Sequence, residues 1–353
     1  MTRIEQLQAE LSRRDLDAVV LFSDPATRWA SGFAFTDGAV AVARDRAVLF
    51  TDSRYIEAAS AMAREVEVRQ FDADHRLSAC LRDVLAGCGR IGAEAETLPH
   101  ARWEALGKAL GHDLVPADGA LTALRAVKTP EEVAAITAAQ RIAEQALEDL
   151  LNMIRPGVTE KALAAELTYR MLRLGGEGNS FDPITITGAN TSKPHGVPGD
   201  AVIRDGDFVT MDFGTIVDGY HSDMTRTVAV GHATDEMRRV YDTVLRAQAA
   251  GIALMTPAHS GAEVHNAAAA VIAAAGYGDC FGHGFGHGVG LEIHEAPSAS
   301  PRNDQPLPAG AVVTAEPGIY LPGRFGVRIE DMILVTEAGP TDLTAAPKEL
   351  LII

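Results

Sequence analysis

Three cysteines in 353 residues, Cys80, Cys88 and Cys280, are too few and too unevenly spread for a disulfide framework. Thiols in that number suit a reducing compartment. No apolar run approaches the roughly 18–20 residues that a membrane helix needs. The opening MTRIEQLQAELSRRDL has the pattern of an amphipathic helix and lacks the features of a signal peptide, so a cytoplasmic location away from any membrane is expected. Positive charge is also scarce: 31 Lys and Arg against 48 Asp and Glu leave a formal net charge of −17. Such a chain repels a phosphate backbone, which sets nucleic acid aside as a partner. There is no HExxH helix, and GHGFGHGVG has the wrong glycine spacing for a dinucleotide loop. A zinc knuckle built on Cys280 and His283 would need a second cysteine pair that the sequence does not contain.

What remains is a globular composition, 47% hydrophobic and 22% charged, in a chain long enough for two domains. The first part alternates helical and strand patterns. DAVVLF reads as a buried strand, GAVAVARDRAVLFTD as a hairpin, VEVRQF and RIGAE as further strands, with helices from Arg54 towards Arg64 and around Leu77 to Leu85. At Thr129-Pro130-Glu131-Glu132 an N-cap, a proline at the first helical position and first-turn acids announce a long helix. The boundary is therefore placed near Arg125, giving domains 1–125 and 126–353. A second helix follows from Thr159, and helices near 234–253 and 261–275 interrupt a strand-rich remainder.

Within that remainder, MDFGTIVDGYHSDMTRT (211–227) carries Asp212 and Asp223 on either side of Asp218-Gly219, a strong hairpin signal. Counting outward from the turn, Val217 faces Tyr220, Gly214 faces Asp223 and Asp212 faces Thr225. Side chains alternate along a strand, so both carboxylates share one face as diagonal neighbours, roughly 7–8 Å apart at the backbone. Phe208, Val209, Met211 and Phe213 surround them, and buried acids need a partner or a metal. In CFGHGFGHGVGLEIHEAP (280–297), His283 and His287 share one face of an extended segment, and the intervening glycines admit another backbone or a substrate. His294 has the opposite parity, so the chain must bend near Glu292 for it to join them. In VVTAEPGIYLPGRFGVRIEDMILVT (312–336), Glu316 precedes Pro317-Gly318 and Glu330 sits among apolar neighbours in VRIEDMILV, read as one strand. A buried Glu330 demands a cation, either Arg328 or a metal, while Asp331 on the opposite face is a structural or solvent-facing acid. Asp212, Asp223, His287, Glu316 and Glu330 form an oxygen-rich set that suits two divalent ions, Mn²⁺ first, with Co²⁺ or Zn²⁺ as substitutes.

Taken in order, MDFGTIVDGYHSDMTRT, GHGFGHGVGLEIHEAP, TAEPGIY and RIEDMILVT resemble the pita-bread metallopeptidases, in particular the proline-specific branch of aminopeptidase P and prolidase. The resemblance spans most of 130–353 and implies an α+β fold. A C-terminal pita-bread catalytic domain would be preceded by a smaller creatinase-type α/β domain. It also implies that Asp212 chelates one metal, that His287 and Glu316 bind the other, and that Asp223 and Glu330 bridge them, jointly acidifying the attacking water. By the same resemblance Glu316 serves as general base and then acid, and His294 stabilises the oxyanion. His195 in KPHGVPGD positions substrate near the leaving group, while His283 and Arg328 belong to the substrate pocket or its support. His221, His232, His259 and His265 are assigned to surface or packing.

The substrates implied are peptides with proline at the second position, and the family analogy implies a homodimer. The rival reading is a catalytically silent pita-bread module that binds peptide or protein, but such a module has no use for five convergent ligands. Aminopeptidase P is preferred over prolidase. Some prolidases of similar sequence carry Arg directly after HExP, where this chain has Ser298, although the nearby Arg302 and Arg324 can substitute for it.

Overall fold

A computed structural model describes residues 1–353, which divide into two compact units, Met1–Arg125 and Ala126–Ile353. The first unit is a six-stranded mixed sheet. Its strands lie in the order Glu67–Gln70, Arg46–Thr51, Gly38–Ala43, Ala18–Leu21, Ile91–Ala93, Val115–Pro116. The hairpin in GAVAVARDRAVLFTD pairs antiparallel from Gly38↔Thr51 to Ala43↔Arg46, and the outer strands are added in parallel. Three helices lie here beyond those expected from the sequence, Asp24–Ser31, His100–Leu110 and Asp118–Ala126. The first carries ordinary start and stop signals: the Ser23 side chain accepts from the Ala26 N–H, Pro25 lies in the first turn, and Gly32 ends the helix in the left-handed region. At eight residues it is too short to show a helical period in the sequence.

The second unit has two helix-backed sheets. One has the strand order Met224–Ala229, Phe208–Phe213, Ile184–Thr187, and helices Pro130–Leu151 and Glu160–Arg173 supply the apolar surface behind it. Val209, Met211 and Phe213 point into that core with Leu147, Leu150, Leu163 and Leu167. Alternation therefore turns Thr210 and Asp212 to the other face. The other sheet runs Glu295–Ala299, Gly286–Gly288, Val312–Ala315, Asp331–Leu334, Thr341–Asp342, and packs on helices Asp235–Ile252 and Gly261–Ala274 through Val313, Ala315, Ile333, Val244 and Val264. A further hairpin, Gly318–Leu321 with Phe325–Arg328, joins the same core through Ile319 and Val327.

The Asp-Gly turn has the register counted from the sequence. Tyr220 pairs with Val217 and Thr225 with Asp212, while Asp218 and Gly219 take φ 49 and 73, as a primed turn requires. VRIEDMILV is not one strand. It breaks at Ile329–Glu330 because Phe325–Arg328 pairs with Gly318–Leu321, whereas Asp331–Leu334 pairs with Val312–Ala315. The Glu330 N–H donates to the Thr225 carbonyl at 3.1 Å, an isolated bridge that holds the break against the first sheet. Asp331 is fully buried and paired with Arg226 and Lys348, so of its two expected roles the structural one holds.

Candidate active site

Asp212 reaches the polar face of the first sheet from strand Phe208–Phe213, and Asp223 immediately precedes its neighbour Met224–Ala229. Glu330 comes from the strand break opposite, and Glu316 follows strand Val312–Ala315. His287 enters from Gly286–Gly288, whose flanking glycine is a packing requirement: a Cβ on Gly286 would overlap the Thr314 carbonyl. The glycine face thus receives another backbone. Together with His195, His283, His294 and Arg328 these side chains wall one cavity of about 440 Å³, completed by Phe181, Asp182, Ile184 and Ile293. Every residue singled out for the site in the sequence borders this space.

The ligating atoms of Asp223, His287 and Glu330 all lie within 4.8 Å of one another. His287 Nε2 is 3.5 Å from Asp223 Oδ2 and 3.4 Å from Glu316 Oε1. Its Nδ1 meets the Gly288 carbonyl at 3.1 Å, and since a carbonyl only accepts, Nδ1 carries the proton and Nε2 turns its lone pair to the carboxylates. Burial pushes the acids of Asp223, Glu330 and Glu316 up from ordinary carboxylate values; repulsion from neighbouring carboxylates adds to it at Asp223 and Glu330, while His283 and Arg328 oppose it at Glu316. Burial also pushes the His287 imidazole down, which keeps it neutral. Asp212 Oδ1 and Asp223 Oδ1 are buried and find no hydrogen-bond donor. Converging carboxylates, a neutral imidazole and orphaned oxygens are what a divalent cation would satisfy, so the residues fit a metal.

A buried network supports this cluster. Arg328 Nη2 donates to Asp212 Oδ2 at 2.5 Å, Nε donates to Thr225 Oγ1 at 3.0 Å, and Nη1 donates to the Tyr320 hydroxyl at 3.0 Å and the Pro194 carbonyl at 3.1 Å. Thr225 in turn donates to Glu330 Oε2 at 2.6 Å. Burial alone would weaken the Arg328 charge, but Tyr320, Asp212, Glu330 and Glu316 more than offset it and hold the guanidinium protonated. His283 Nδ1 lies 2.8 Å from the Gly284 carbonyl, so its Nε2 accepts from the Tyr320 hydroxyl at 2.9 Å. Both His283 nitrogens are thereby engaged within the protein, and each of the three Arg328 nitrogens makes at least one hydrogen bond to it. Their place is in the wall that holds Asp212 and Glu330.

His294 comes back to the cavity by the bend expected near Glu292, with its ring centroid 4.2 Å from that of His287. Burial and the neighbouring imidazoles keep its proton affinity below the ordinary histidine value. Arg302 is exposed in a separate groove with Ser298 and Asn303, and the exposed Arg324 pairs with Glu236. Neither borders the cavity. Of the remaining histidines, His232 is exposed beside Asp205, and His265 is buried against the Phe281 ring. Tyr320 and Thr225 were not singled out from the sequence, although counting the hairpin register already set Thr225 opposite Asp212.

The chain matches metallopeptidase family M24 over residues 134–337 and the creatinase/prolidase N-terminal domain over residues 3–127. It is 38% identical to the uncharacterised peptidase YqhT of Bacillus subtilis, across 99% of this chain and 100% of the relative. Among solved structures it is similar to a Xaa-Pro dipeptidase from Bacillus anthracis, with TM-score 0.96, 39% identity and 99% of each chain covered. It is also similar to an X-Pro aminopeptidase from Thermotoga maritima, with TM-score 0.91, 34% identity, and 97% of this chain and 99% of the other covered. A creatinase-type domain followed by a pita-bread catalytic domain, carrying a carboxylate-rich potential metal site, makes this chain a member of metallopeptidase family M24, in its Xaa-Pro dipeptidase and aminopeptidase group.

Proposed function

We propose that the protein hydrolyses the bond before proline at the amino end of short peptides, releasing the first residue from chains of three or more. Asp212, Asp223, His287, Glu316 and Glu330 would hold two divalent ions, with Mn²⁺ preferred for a donor set of four carboxylates and one imidazole. When bound, the ions supply Lewis acidity, lowering the pKa of the attacking water and polarising the scissile carbonyl. In this reading the Glu316 carboxylate accepts a proton from that water. It returns the proton to the proline nitrogen as the C–N bond breaks. His294 donates to the oxygen that becomes negative, and His195 orients the leaving side of the peptide. Arg328, Tyr320 and His283 keep the carboxylates in place.

One observation carries the preference for longer substrates. A strict dipeptidase must hold the free carboxylate of Xaa-Pro, for which an arginine fork is the natural device. The cavity wall contains one arginine, Arg328, and its guanidinium is taken up by Asp212, Thr225, Tyr320 and Pro194. A second reading, Xaa-Pro dipeptidase, is favoured by the name of the similar Bacillus anthracis protein. The two are separated by kcat/KM for Xaa-Pro, Xaa-Pro-Ala and a longer Xaa-Pro peptide in Mn²⁺. Turnover of the tripeptide and longer chains supports the aminopeptidase, whereas exclusive cleavage of the dipeptide makes the protein a prolidase.

A further inference from the structure

We infer that Lys128 is a positioning residue for His294, acting through a buried ion pair with Glu295; this rests on the oxyanion role proposed for His294. Lys128 lies just ahead of Thr129, the N-cap of helix Pro130–Leu151, and its backbone N–H donates to the Gly310 carbonyl at 2.9 Å. Its side chain is 1% exposed, and Nζ donates to Glu295 Oε1 at 2.7 Å, with the Glu295 side chain 7% exposed. The Ala126 carbonyl caps the same ammonium at 3.4 Å. A charged pair taken this far out of water is costly unless its geometry is held, so the two groups constrain each other strongly.

Glu295 opens strand Glu295–Ala299 and pairs with Gly288, one residue from His287. His294, its immediate neighbour, belongs to the bend that leads into the strand and lines the cavity, while the Glu295 side chain meets Lys128. The space around the carboxylate is reserved, because a Cβ on Gly290 would overlap both of its oxygens. The His294 ring makes no hydrogen bond of its own to the protein, and its contact is the His287 ring at 4.2 Å. Its direction is therefore set by the backbone of the 289–295 bend, and Lys128 fixes the end of that bend. A catalytic donor aimed only by its backbone is sensitive to small displacements there. About 1 Å of misplacement at a reacting centre costs roughly 10²-fold in rate.

The test compares Lys128→Met, the charge-free pair Lys128→Met/Glu295→Gln, His294→Ala and Lys128→Met/His294→Ala, all loaded with Mn²⁺, on Xaa-Pro-Ala. Lys128→Met should lower kcat about 10- to 10²-fold, the range a misplaced donor commands, while KM and metal content stay within about twofold. In the His294→Ala background the same change should leave kcat where it was, since the residue it acts through is gone. Hydrogen exchange should rise across 289–296 in the single and charge-free variants. If Lys128→Met fails to fold, the charge-free pair carries the same comparisons. Wild-type kcat in both variants, an equal loss with and without His294, or unchanged exchange in the bend would each overturn the inference. A wild-type protein that cleaves no Xaa-Pro peptide would remove the function reading alone, and the exchange measurement would then decide on Lys128.

Discussion

Arg328 and Asp212 meet inside the cavity wall with side chains only 5% and 13% exposed, and the guanidinium occupies one Asp212 oxygen while the other is left without a protein donor. Asp212 thus lines the same cavity as Asp223 and Glu330 with one carboxylate oxygen held and one unpaired. Arg328→Met should therefore weaken metal binding about 10- to 100-fold, the usual cost of removing a group that orients a ligand. It should also destabilise the fold by roughly 3–5 kcal/mol, because a buried carboxylate loses its counter-charge. Metal titration followed by thermal melting checks both effects, and unchanged metal affinity would take Arg328 out of this role.

Removing a ligand and removing a transition-state donor should look different. Asp223→Ala takes away a carboxylate proposed to bridge both ions, so metal content and activity fall together. His294→Ala keeps the ligand set and should lose about 10²–10³ in kcat, as for other oxyanion donors. Metal analysis of the purified variants decides, and equal depletion in the two would contradict the assignment.

Without metal, the buried acids set the pH dependence of stability. Burial raises the folded-state pKa of Asp223, Glu330 and Glu316, helped at Asp223 and Glu330 by repulsion from neighbouring carboxylates, whereas the unfolded values lie at about 4. Between the unfolded and the raised folded values the folded state binds more protons, so stability declines as pH rises through that window. The chelated protein should melt higher at pH 5.5 than at pH 7.5 by this mechanism, and Glu330→Gln should reduce the difference. Bound metal should abolish it, since cations replace the protons. A Tm of the chelated protein that rises with pH would contradict the burial of these charges.

Glu160 governs the loop that carries His195. Its carboxylate accepts from the Thr187 N–H at 2.8 Å, the Asn190 side-chain amide at 2.9 Å and the Gly199 N–H at 2.8 Å, tying both ends of residues 188–199 to one buried group. Glu160→Gln turns an acceptor into a donor that faces N–H groups, which costs about 1–3 kcal/mol for each donor left unsatisfied. Lower thermal stability with faster amide exchange across 188–199 is expected. Exchange unchanged from wild type would show that the loop is held elsewhere.

Much of this site was legible because β-structure has a period of two. The hairpin count from Asp218-Gly219 set Asp212 against Thr225, and the parity of His294 demanded the bend that the chain makes. The break within VRIEDMILV was not legible, because each half pairs with a different strand, a long-range choice absent from the local pattern. Tyr320 was hidden for a similar reason: its hydroxyl matters only because Arg328 and His283 converge on it in space. The distance of Arg302 and Arg324 from the cavity was equally beyond sequence, since both lie near catalytic motifs along the chain but extend into other surroundings. Asp24–Ser31 was missed despite its Ser23 cap and proline, being shorter than the window in which periodicity can be read.

The most direct measurement is kcat/KM for Xaa-Pro-Ala and Xaa-Ala-Ala on protein stripped by chelation and then titrated with Mn²⁺. Release of Xaa from the proline peptide should be absent in the stripped protein, appear as Mn²⁺ is restored, and exceed cleavage of the alanine peptide by a wide margin. Activity that survives exhaustive chelation, or a fully loaded protein that leaves every Xaa-Pro bond intact, would contradict a metal-dependent, proline-directed peptidase.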